Sequence, residues 1–342
     1  MFKRNELTNS PFIIAEVGQN HQGDLDTARR YIKEFSEVGA DAIKFQTRNN
    51  KFLFSDCAYN KPYDSENAFS DVYGLHREAL ELRPEWLPIL IEDCRKFNVK
   101  FISTPFDEPS LELLCEVGVD AIKISSFDLG NLSFINKIAQ KGLPIIMSIG
   151  GGNFEQIKAS VDLIDNYDNE LAVLHCVSEY PCTVDRLGLQ NITLLDKKFP
   201  NATPGLSDHF NGIVTGPVGY MVGARVFEKH VTLDRSWKGT DHSFALERHG
   251  FRNFVRDIKR VPEMMKLKPE NQLGKEQVFQ KLGKSIIAAS KINKGEVITI
   301  DNIMGRIFSQ QHLPIRDSNK IIGKKVNKDI EKGGLILLKD LI

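Results

Sequence analysis

Eight short apolar segments recur along the chain, and each ends on a polar or ionisable residue. Stretches with the period of an amphipathic helix lie between most of them, for example 25–38 and 110–117. Strand and helix repeated eight times predicts an α/β fold, the (β/α)8 TIM barrel, whose chemistry sits at the carboxyl ends of its strands. The polar strand ends are therefore expected to share one pocket. The segments are 12–16, 42–46, 100–104, 121–126, 144–148, 171–176, 203–207 and 225–230.

A weak internal repeat supports the barrel prediction. Residues 39–47, Gly-Ala-Asp-Ala-Ile-Lys-Phe-Gln-Thr, are echoed by 118–126, Gly-Val-Asp-Ala-Ile-Lys-Ile-Ser-Ser. Each copy is typical of a glycine that ends a helix, followed by a buried strand that carries a lysine. The recurrence of Lys44 and Lys123 indicates lysines that face the barrel mouth. A structural lysine paired with a neighbouring carboxylate would give the same pattern.

Composition argues against several classes of protein. Lys plus Arg and Asp plus Glu both number 45, so no net charge favours nucleic acid or an anionic membrane. No run approaches the ~20 apolar residues of a membrane span, and residues 1–6 lack the apolar core of a signal peptide. The five cysteines form no Cys-x-x-Cys pair, which suits a reducing compartment. We expect a cytoplasmic enzyme with no nucleic-acid or membrane partner.

The length predicts more than one domain. The 342 residues exceed one barrel of about 250 residues. A last helix over 251–265 gives way to a stretch poor in apolar residues, and after it short strand-like runs alternate with glycine turns. The predicted domains are a barrel over 1–265, a linker over 266–281 and a small β-rich domain over 282–342.

Two histidines at neighbouring strand ends predict a metal site. His209 follows strand seven and His230 ends strand eight, and these strands are adjacent in a barrel. Glu228 and His230 are two residues apart, so both point to the same side of the strand. Imidazoles with oxygen ligands and open water positions suit a divalent Mn, Zn, Co or Fe ion. The alternative is that His209 caps a loop and His230 is a hydrogen-bonded core residue.

A second set of strand-end residues predicts an anion site. Cations and hydroxyl donors from five strands would ring the barrel mouth, where charge-assisted hydrogen bonds can hold a phosphate. Any one such serine or threonine is common for purely structural reasons, so the prediction depends on the set. Its members are Lys44, Thr104, Lys123, Ser126, Ser148 and Ser207.

Several motifs together resemble the sialic acid synthase family, the nonulosonate synthases that condense phosphoenolpyruvate with a sugar. The most specific is the opening Glu-x-Gly-x-Asn-His-x-Gly at 16–23. The resemblance covers nearly the whole chain, includes a C-terminal module similar to the antifreeze-like (SAF) domain, and is greatest to the N-acylneuraminate-9-phosphate synthase branch. The other motifs are Lys-Phe-Gln-Thr at 44–47, Ser-Thr-Pro-Phe at 103–106, Leu-Ser-Asp-His at 206–209, Glu-Lys-His at 228–230 and Lys-Gly-Thr-Asp-His-Ser at 238–243.

The resemblance implies a reaction, a cofactor and residue roles. Phosphoenolpyruvate would add to the aldehyde of an N-acylhexosamine such as N-acetylmannosamine, with C–O cleavage and phosphate release, in a domain-swapped homodimer. His209 and His230 would hold a divalent metal, Mn or Mg, as a Lewis acid. The implied catalytic residues are Glu16, Asp128, His209 and His230. The implied phosphoenolpyruvate ligands are Lys44, Thr104, Lys123, Ser126, Ser148, Ser178 and Ser207, and the implied sugar contacts are Glu16, Gln46, Tyr180 and Asp241.

Two departures from the family pattern and one cluster of cations bear on the reaction and its substrate. Asp128 stands where the family usually has glutamate, and Ile307 stands where many bacterial members have a sugar-binding arginine. Cations in the segment after strand two, Lys61, His76 and Arg77, are predicted to bind a distal phosphate, which would make the acceptor a sugar 6-phosphate. Solvated loop and helix residues would give the same sequence pattern.

Other functions stay open at this stage. Within the family, a pseudaminic, legionaminic or KDN-type synthase is the main alternative, and Ser-Ser-Phe-Asp at 125–128 resembles the pseudaminate type. Another metal-dependent barrel aldolase or synthase would explain the anion and metal sites without the C-terminal module. A non-catalytic sugar-binding protein would explain the module without the lysines and histidines at strand ends.

Overall fold

The computed structural model describes residues 1–279 and 281–342 and contains ten strands. Eight of them are parallel and close into a barrel in chain order, β1 to β8, as the strand pattern predicts. The predicted strand bounds differ from the observed ones by one or two residues at several ends. The strands are β1 Phe12–Gly18, β2 Ala42–Thr47, β3 Lys100–Pro105, β4 Ala121–Ile124, β5 Ile145–Ser148, β6 Leu171–Cys176, β7 Thr203–Asp208, β8 Val226–His230, β9 Ser285–Ala288 and β10 Ile303–Arg306.

Helices fill the connections between the strands. In α2, Ala28, Tyr31, Ile32 and Phe35 are the buried face, and the Asp24 side chain caps the helix by accepting a hydrogen bond from Thr27 N. The α-helices are α1 Arg4–Leu7, α2 Leu25–Ser36, α3 Asn50–Leu53, α4 Asp56–Tyr59, α5 Tyr73–Glu78, α6 Leu87–Lys96, α7 Glu108–Val117, α8 Leu132–Ala139, α9 Phe154–Asp165, α10 Asn191–Lys198, α11 Thr215–Met221, α12 Arg248–Met264 and α13 Gln277–Leu282. Six 3₁₀ segments are Pro84–Trp86, Ser126–Asp128, Val184–Arg186, Glu270–Gln272, Ile315–Lys320 and Leu338–Asp340.

The barrel interior changes character along its axis. Its lower layers are apolar and include Ile14, Ile102 and Ile146, with Phe2 and Leu7 of the N-terminal segment packed against them. Gly205 leaves room for this packing, because a Cβ there would lie 2.3 Å from Leu174 Cδ2. Above these layers the inward-facing positions become polar. The apolar base therefore supports a ring of functional side chains at the carboxyl ends of the strands.

The chain divides into two compact units, Met1–Met265 and Lys266–Ile342. In the second unit, β9 and β10 pair antiparallel, and Ile286, Ile298 and Ile330 belong to its apolar core. The other predicted strand-like runs make single bridges, such as Val297 with Lys325. Residues 266–281, predicted as a linker, contain a 3₁₀ turn and most of α13.

Within the described residues, no helix combines the length and the apolar character needed to cross a membrane.

Candidate active site

The polar strand ends open into one cavity of about 490 Å³. Strand register explains this convergence, since Glu16 on β1 lies opposite Lys44 on β2 and opposite His230 on β8. Thirteen of the residues predicted for catalysis and binding line the cavity. They are Glu16, Lys44, Gln46, Arg77, Thr104, Lys123, Ser126, Ser148, Tyr180, Ser207, His209, His230 and Asp241.

Of the residues predicted for catalysis and phosphoenolpyruvate binding, Asp128 and Ser178 are not among those that line the cavity. The Asp128 carboxylate accepts a hydrogen bond of 3.1 Å from the Asn131 side chain, at the 3₁₀ turn after β4. Ser178 Oγ lies 3.9 Å from the sulfur of Cys176. Ser178 therefore lies beside Cys176, which lines the cavity.

Buried acids and lysines alternate across the floor of the cavity. Lys44 Nζ lies 2.7 Å from Glu16 Oε2 and 3.7 Å from Glu228 Oε2, and Lys123 Nζ lies 3.8 Å from Glu228 Oε1. The Ser207 hydroxyl donates to Glu228 Oε1 at 3.1 Å. All these side chains are buried. The lysines are thus both structural partners of carboxylates and cationic walls of the pocket.

Neighbouring charges separate the protonation behaviour of the two buried acids. Desolvation raises the pKa of Glu16, although Lys44 opposes the shift. Burial also acts on Glu228, but Lys123 and Lys44 outweigh it and lower its pKa to about 2. Burial lowers the pKa of Lys123. Glu228 therefore stays ionised as a counter-ion, whereas burial shifts Glu16 toward its protonated form.

Hydroxyl groups complete the side of the cavity between β3 and β5. Lys44 Nζ donates to Thr104 Oγ1 at 3.2 Å, and Ser126 Oγ accepts from Gly150 N at 3.1 Å. The buried Ser148 hydroxyl has no hydrogen-bond partner. An unpartnered buried hydroxyl that lines the same cavity as two lysines is a ready donor to an anion.

His209 and His230 meet on the opposite side of the cavity, with ring centroids 5.3 Å apart. His209 Nδ1 donates to the Val177 carbonyl at 2.8 Å, so its Nε2 carries the free lone pair. His230 Nδ1 is buried without a hydrogen-bond partner, and Asp241 Oδ2 lies 3.7 Å from it. Burial lowers the pKa of His230 to about 3, so this ring stays neutral.

These two rings fit a metal ligand pair. The His230 ring is neutral, and the Nε2 of His209 has a free lone pair. Both rings face the cavity that would admit a substrate oxygen. Among the described residues, no group of three or more His, Cys, Asp or Glu side chains is arranged to hold a metal ion. The chain itself would therefore supply the two imidazoles, and the other positions would fall to water and substrate.

Two arginines form a cationic wall where β2 leaves the barrel, and sequence reasoning missed one of them. Arg48 lines the cavity together with Arg77, and its guanidinium lies 3.2 Å from Glu81 and 2.5 Å from Gln46 Oε1. Burial, aided by the Arg77 charge, lowers the pKa of Arg48 to about 10 although Glu81 acts the other way. The period of two along Lys44, Gln46 and Arg48 is the signal that could have found it.

The predicted cation cluster of Lys61, His76 and Arg77 does not form. Lys61 is exposed, and His76 is buried, with its ring 4.6 Å from that of Tyr63 and its Nδ1 accepting from Phe69 N. Only Arg77 of the three lines the cavity, and its Nε is buried without a hydrogen-bond partner. The prediction was wrong because His76 and Arg77 are consecutive residues of α5, and consecutive helix residues point in different directions.

The Asn-His pair of the opening motif stabilises the loop beneath the site. Asn20 Nδ2 donates to the Val231 carbonyl at 2.9 Å, which ties the end of β1 to the segment after β8. His21 is fully buried, and its Nδ1 accepts from Gly23 N. These contacts shape the turn that carries Gln19 into the cavity wall.

Cavity residues that the predicted set omitted come mainly from loops and from β6. Cys176 Sγ lies 3.6 Å from Ser126 Oγ and 3.9 Å from His209 Nδ1. Asn67, Phe127 and Thr240 also line the cavity. Among these four residues, only the inward position of Cys176 at the end of β6 follows from strand alternation, because loop residues have no such period.

Comparison with known proteins agrees with this geometry. The sequence profile of the NeuB family matches residues 31–269. The chain is 34% identical over 327 residues to the N-acetylneuraminate-9-phosphate synthase of Homo sapiens, covering 95% of this chain and 91% of that protein. It is 33% identical over 329 residues to the N,N'-diacetyllegionaminic acid synthase of Campylobacter jejuni, covering 95% of this chain and 98% of that protein.

A solved structure has the same architecture. The N-acetylneuraminic acid synthetase of Leptospira borgpetersenii, crystallised with citrate, superposes with a TM-score of 0.69 at 31% identity and covers 80% of this chain and 93% of that one. With a profile matching more than half of its length and relatives above 30% identity over nearly all of it, the chain belongs to the NeuB family.

Proposed function

We propose that this protein condenses phosphoenolpyruvate with the aldehyde of an N-acylhexosamine, N-acetylmannosamine or its 6-phosphate. A bond forms between C3 of phosphoenolpyruvate and the aldehyde carbon, water adds its oxygen to C2, and the C2–O bond to phosphate breaks. The products are a nonulosonic acid, or its 9-phosphate, and inorganic phosphate. The observation that carries the proposal is a single cavity in which two buried lysines and serine hydroxyls face two imidazoles.

The lysine side of the cavity suits phosphoenolpyruvate, which carries a carboxylate and a phosphate. Lys123 and the unpartnered Ser148 hydroxyl offer charge and a hydrogen bond, and Lys44 lies beside Thr104. The Glu228 carboxylate favours the charged form of both ammonium groups and so opposes the effect of their burial. Binding in this niche would hold C3 toward the centre of the cavity, where an aldehyde has room.

The part of the cavity between Glu16 and His230 suits the sugar aldehyde. Glu16, whose pKa is raised by burial, is placed to donate a proton to the aldehyde oxygen as it gains charge. Gln46 donates to Glu16 Oε1 at 2.8 Å and orients it. A divalent metal, Mn or Mg, held by His209 and His230 would supply a Lewis acid for the same oxygen.

The Arg48 and Arg77 wall favours a phosphorylated acceptor. Glu81 pairs with Arg48, and Asp241 also acts on that guanidinium, whereas Arg77 adds a second cation to the wall. Arg77 Nε has no hydrogen-bond partner in the protein, and one guanidinium can bind two phosphate oxygens at once. Several relatives are named as 9-phosphate synthases, whose product would require such an acceptor. These observations favour N-acetylmannosamine 6-phosphate.

One assay tests the reaction and the acceptor together. Phosphate release from phosphoenolpyruvate is measured with Mn²⁺ across hexosamines and their 6-phosphates, with mannose 6-phosphate included for the KDN-type alternative. We expect release that depends on the sugar, with the 6-phosphate of N-acetylmannosamine favoured about 30- to 1,000-fold in kcat/KM, as for a bound phosphate that adds about 2–4 kcal/mol. Release without any sugar, or none with any sugar, would refute the condensation.

A pair of variants locates the acceptor phosphate. Arg77→Ala should remove most of the preference for the 6-phosphate, because the guanidinium lines the cavity. Lys61→Ala is the matched control, since this cation lies in the same segment but is exposed outside the cavity. Equal kcat/KM for both sugars in the wild type would eliminate the phosphorylated acceptor. An Arg77→Ala variant that keeps the preference would move the site elsewhere.

A further inference from the structure

A buried ion pair lies directly behind the two histidines, on the outer face of the barrel wall. Asp208 and Lys229 are opposite each other in the β7–β8 register, and Lys229 Nζ lies 2.7 Å from Asp208 Oδ2 with side-chain exposures of 1% and 0%. The pair takes no part in the cavity, whose lining includes neither residue. Its position nevertheless links it to the site.

Each member of the pair immediately precedes one histidine. Asp208 comes before His209 and Lys229 before His230, so strand alternation points the pair outward and the imidazoles inward. The pair joins the two strands at the last register position before the histidines. Any relative shift of the strand ends would have to break this contact.

The same pair also holds the backbone that follows His209. Phe210 N donates to Asp208 Oδ1 at 3.0 Å, and Lys229 Nζ donates to the Phe210 carbonyl. Thr215 Oγ1, at the start of α11, donates to Asp208 Oδ2 at 2.5 Å. His209 therefore lies between Asp208 and Phe210, both of which accept a hydrogen bond from Lys229.

The energetics of such a pair indicate that it serves the geometry of the site more than the stability of the fold. Desolvation of two buried charges offsets most of their attraction, so an apolar pair of the same shape can be as stable. Directed hydrogen bonds are what an apolar pair lacks. Ligand positions in a site must hold to within about 0.5 Å, which requires such directed support from outside the ligand shell.

We propose that Lys229, through its pair with Asp208, is a positioning residue that sets the spacing of His209 and His230 and thereby the affinity for a divalent metal. This inference rests on the metal role assigned to the two histidines under the proposed function. It concerns residues that touch neither substrate nor metal.

The test is the Mn²⁺ dissociation constant of the full chain, followed by the electron paramagnetic resonance signal of free Mn²⁺. Lys229→Met should weaken binding about 10- to 100-fold, the usual effect of losing outer support for a ligand, and Lys229→Arg should recover part of it. Lys259→Met is the matched control, because it removes the Lys259–Asp41 pair, which joins α12 to the loop before β2. This control should bind Mn²⁺ like the wild type.

The outcomes separate this inference from the proposed function. A wild type that binds no Mn²⁺ overturns the metal role and the inference together. A wild type that binds Mn²⁺, with a folded Lys229→Met variant of equal affinity, overturns the positioning role alone. If Lys229→Met does not fold, Thr215→Val is measured instead, since it removes one hydrogen bond to Asp208. Wild-type affinity in that variant would also overturn the role.

Discussion

Replacing Lys44 by methionine should destabilise the barrel by about 3–5 kcal/mol at pH 7, the cost of breaking a buried ion pair. Lys44 contacts two carboxylates, Glu16 at 2.7 Å and Glu228 at 3.7 Å, and all three side chains are at most 5% exposed. Glu228 would keep Lys123 as a partner. The main cost therefore falls on Glu16, which would be a buried carboxylate without a cation.

The pH dependence of the loss follows from Glu16. Its pKa is already raised by burial, and removal of Lys44 raises it further. A carboxyl group whose folded pKa exceeds its unfolded pKa loses stability as pH rises from the unfolded value to the folded value, and the cost is complete above the folded value. The deficit of Lys44→Met relative to the wild type should therefore shrink between pH 7 and pH 5, by at most about 1.4 kcal/mol per pH unit.

Urea unfolding followed by tryptophan fluorescence measures this deficit. The only tryptophans, Trp86 and Trp237, both lie within the barrel unit. Lys44→Met/Glu16→Gln should recover about 2 kcal/mol or more of the loss, because it removes the unpaired charge. Lys100→Met is the control, since its pair with Asp120 has a similar distance, 2.8 Å, but a half-exposed lysine, and should cost less than about 1 kcal/mol.

Two results would refute this reasoning. One is a Lys44→Met variant within about 1 kcal/mol of the wild type, which would mean that the network tolerates an unpaired buried carboxylate. The other is strict additivity of Lys44→Met and Glu16→Gln, which would mean that the two side chains do not interact energetically.

Three further predictions concern other parts of the molecule. Burial lowers the pKa of His21 to about 3, so below pH 6.5 the unfolded chain binds a proton that the folded state excludes. This group should therefore cost about 2 kcal/mol of barrel stability between pH 7 and pH 5. A His21→Gln variant whose free energy of unfolding in urea depends on pH as in the wild type would contradict the prediction. His209→Ala or His230→Ala should abolish turnover without unfolding the barrel, and full phosphate release by both variants after chelation would exclude the metal role. The full chain should sediment as a homodimer, whereas truncation after Glu276 should leave a barrel with a poorer sugar KM; a fully active monomer in sedimentation would count against this assembly.

The sequence predicted the barrel well because it shows both the period of two of strands and the 3.6-residue period of amphipathic helices. Alternation of inward and outward positions explains why Lys44, Lys123, Ser207 and His230 could be placed at the mouth. These are strand residues, and a strand fixes the direction of each side chain relative to its neighbours. Most of the predicted set therefore assembled into one cavity, with Asp128, Ser178, Lys61 and His76 outside its lining.

Loop and helix positions have no such rule, and the tertiary structure decided them. His76 and Arg77 are adjacent in α5, yet one is packed against Tyr63 and the other faces the cavity. Charge state was likewise decided in three dimensions, since Glu16 and Glu228 are both strand-end glutamates with opposite pKa shifts. The sequence by itself determined which strands carry which chemical groups, because periodicity is local. Which groups meet, and which of them keep a proton, depends on burial and on distances between residues far apart in the chain, which only the folded barrel supplies.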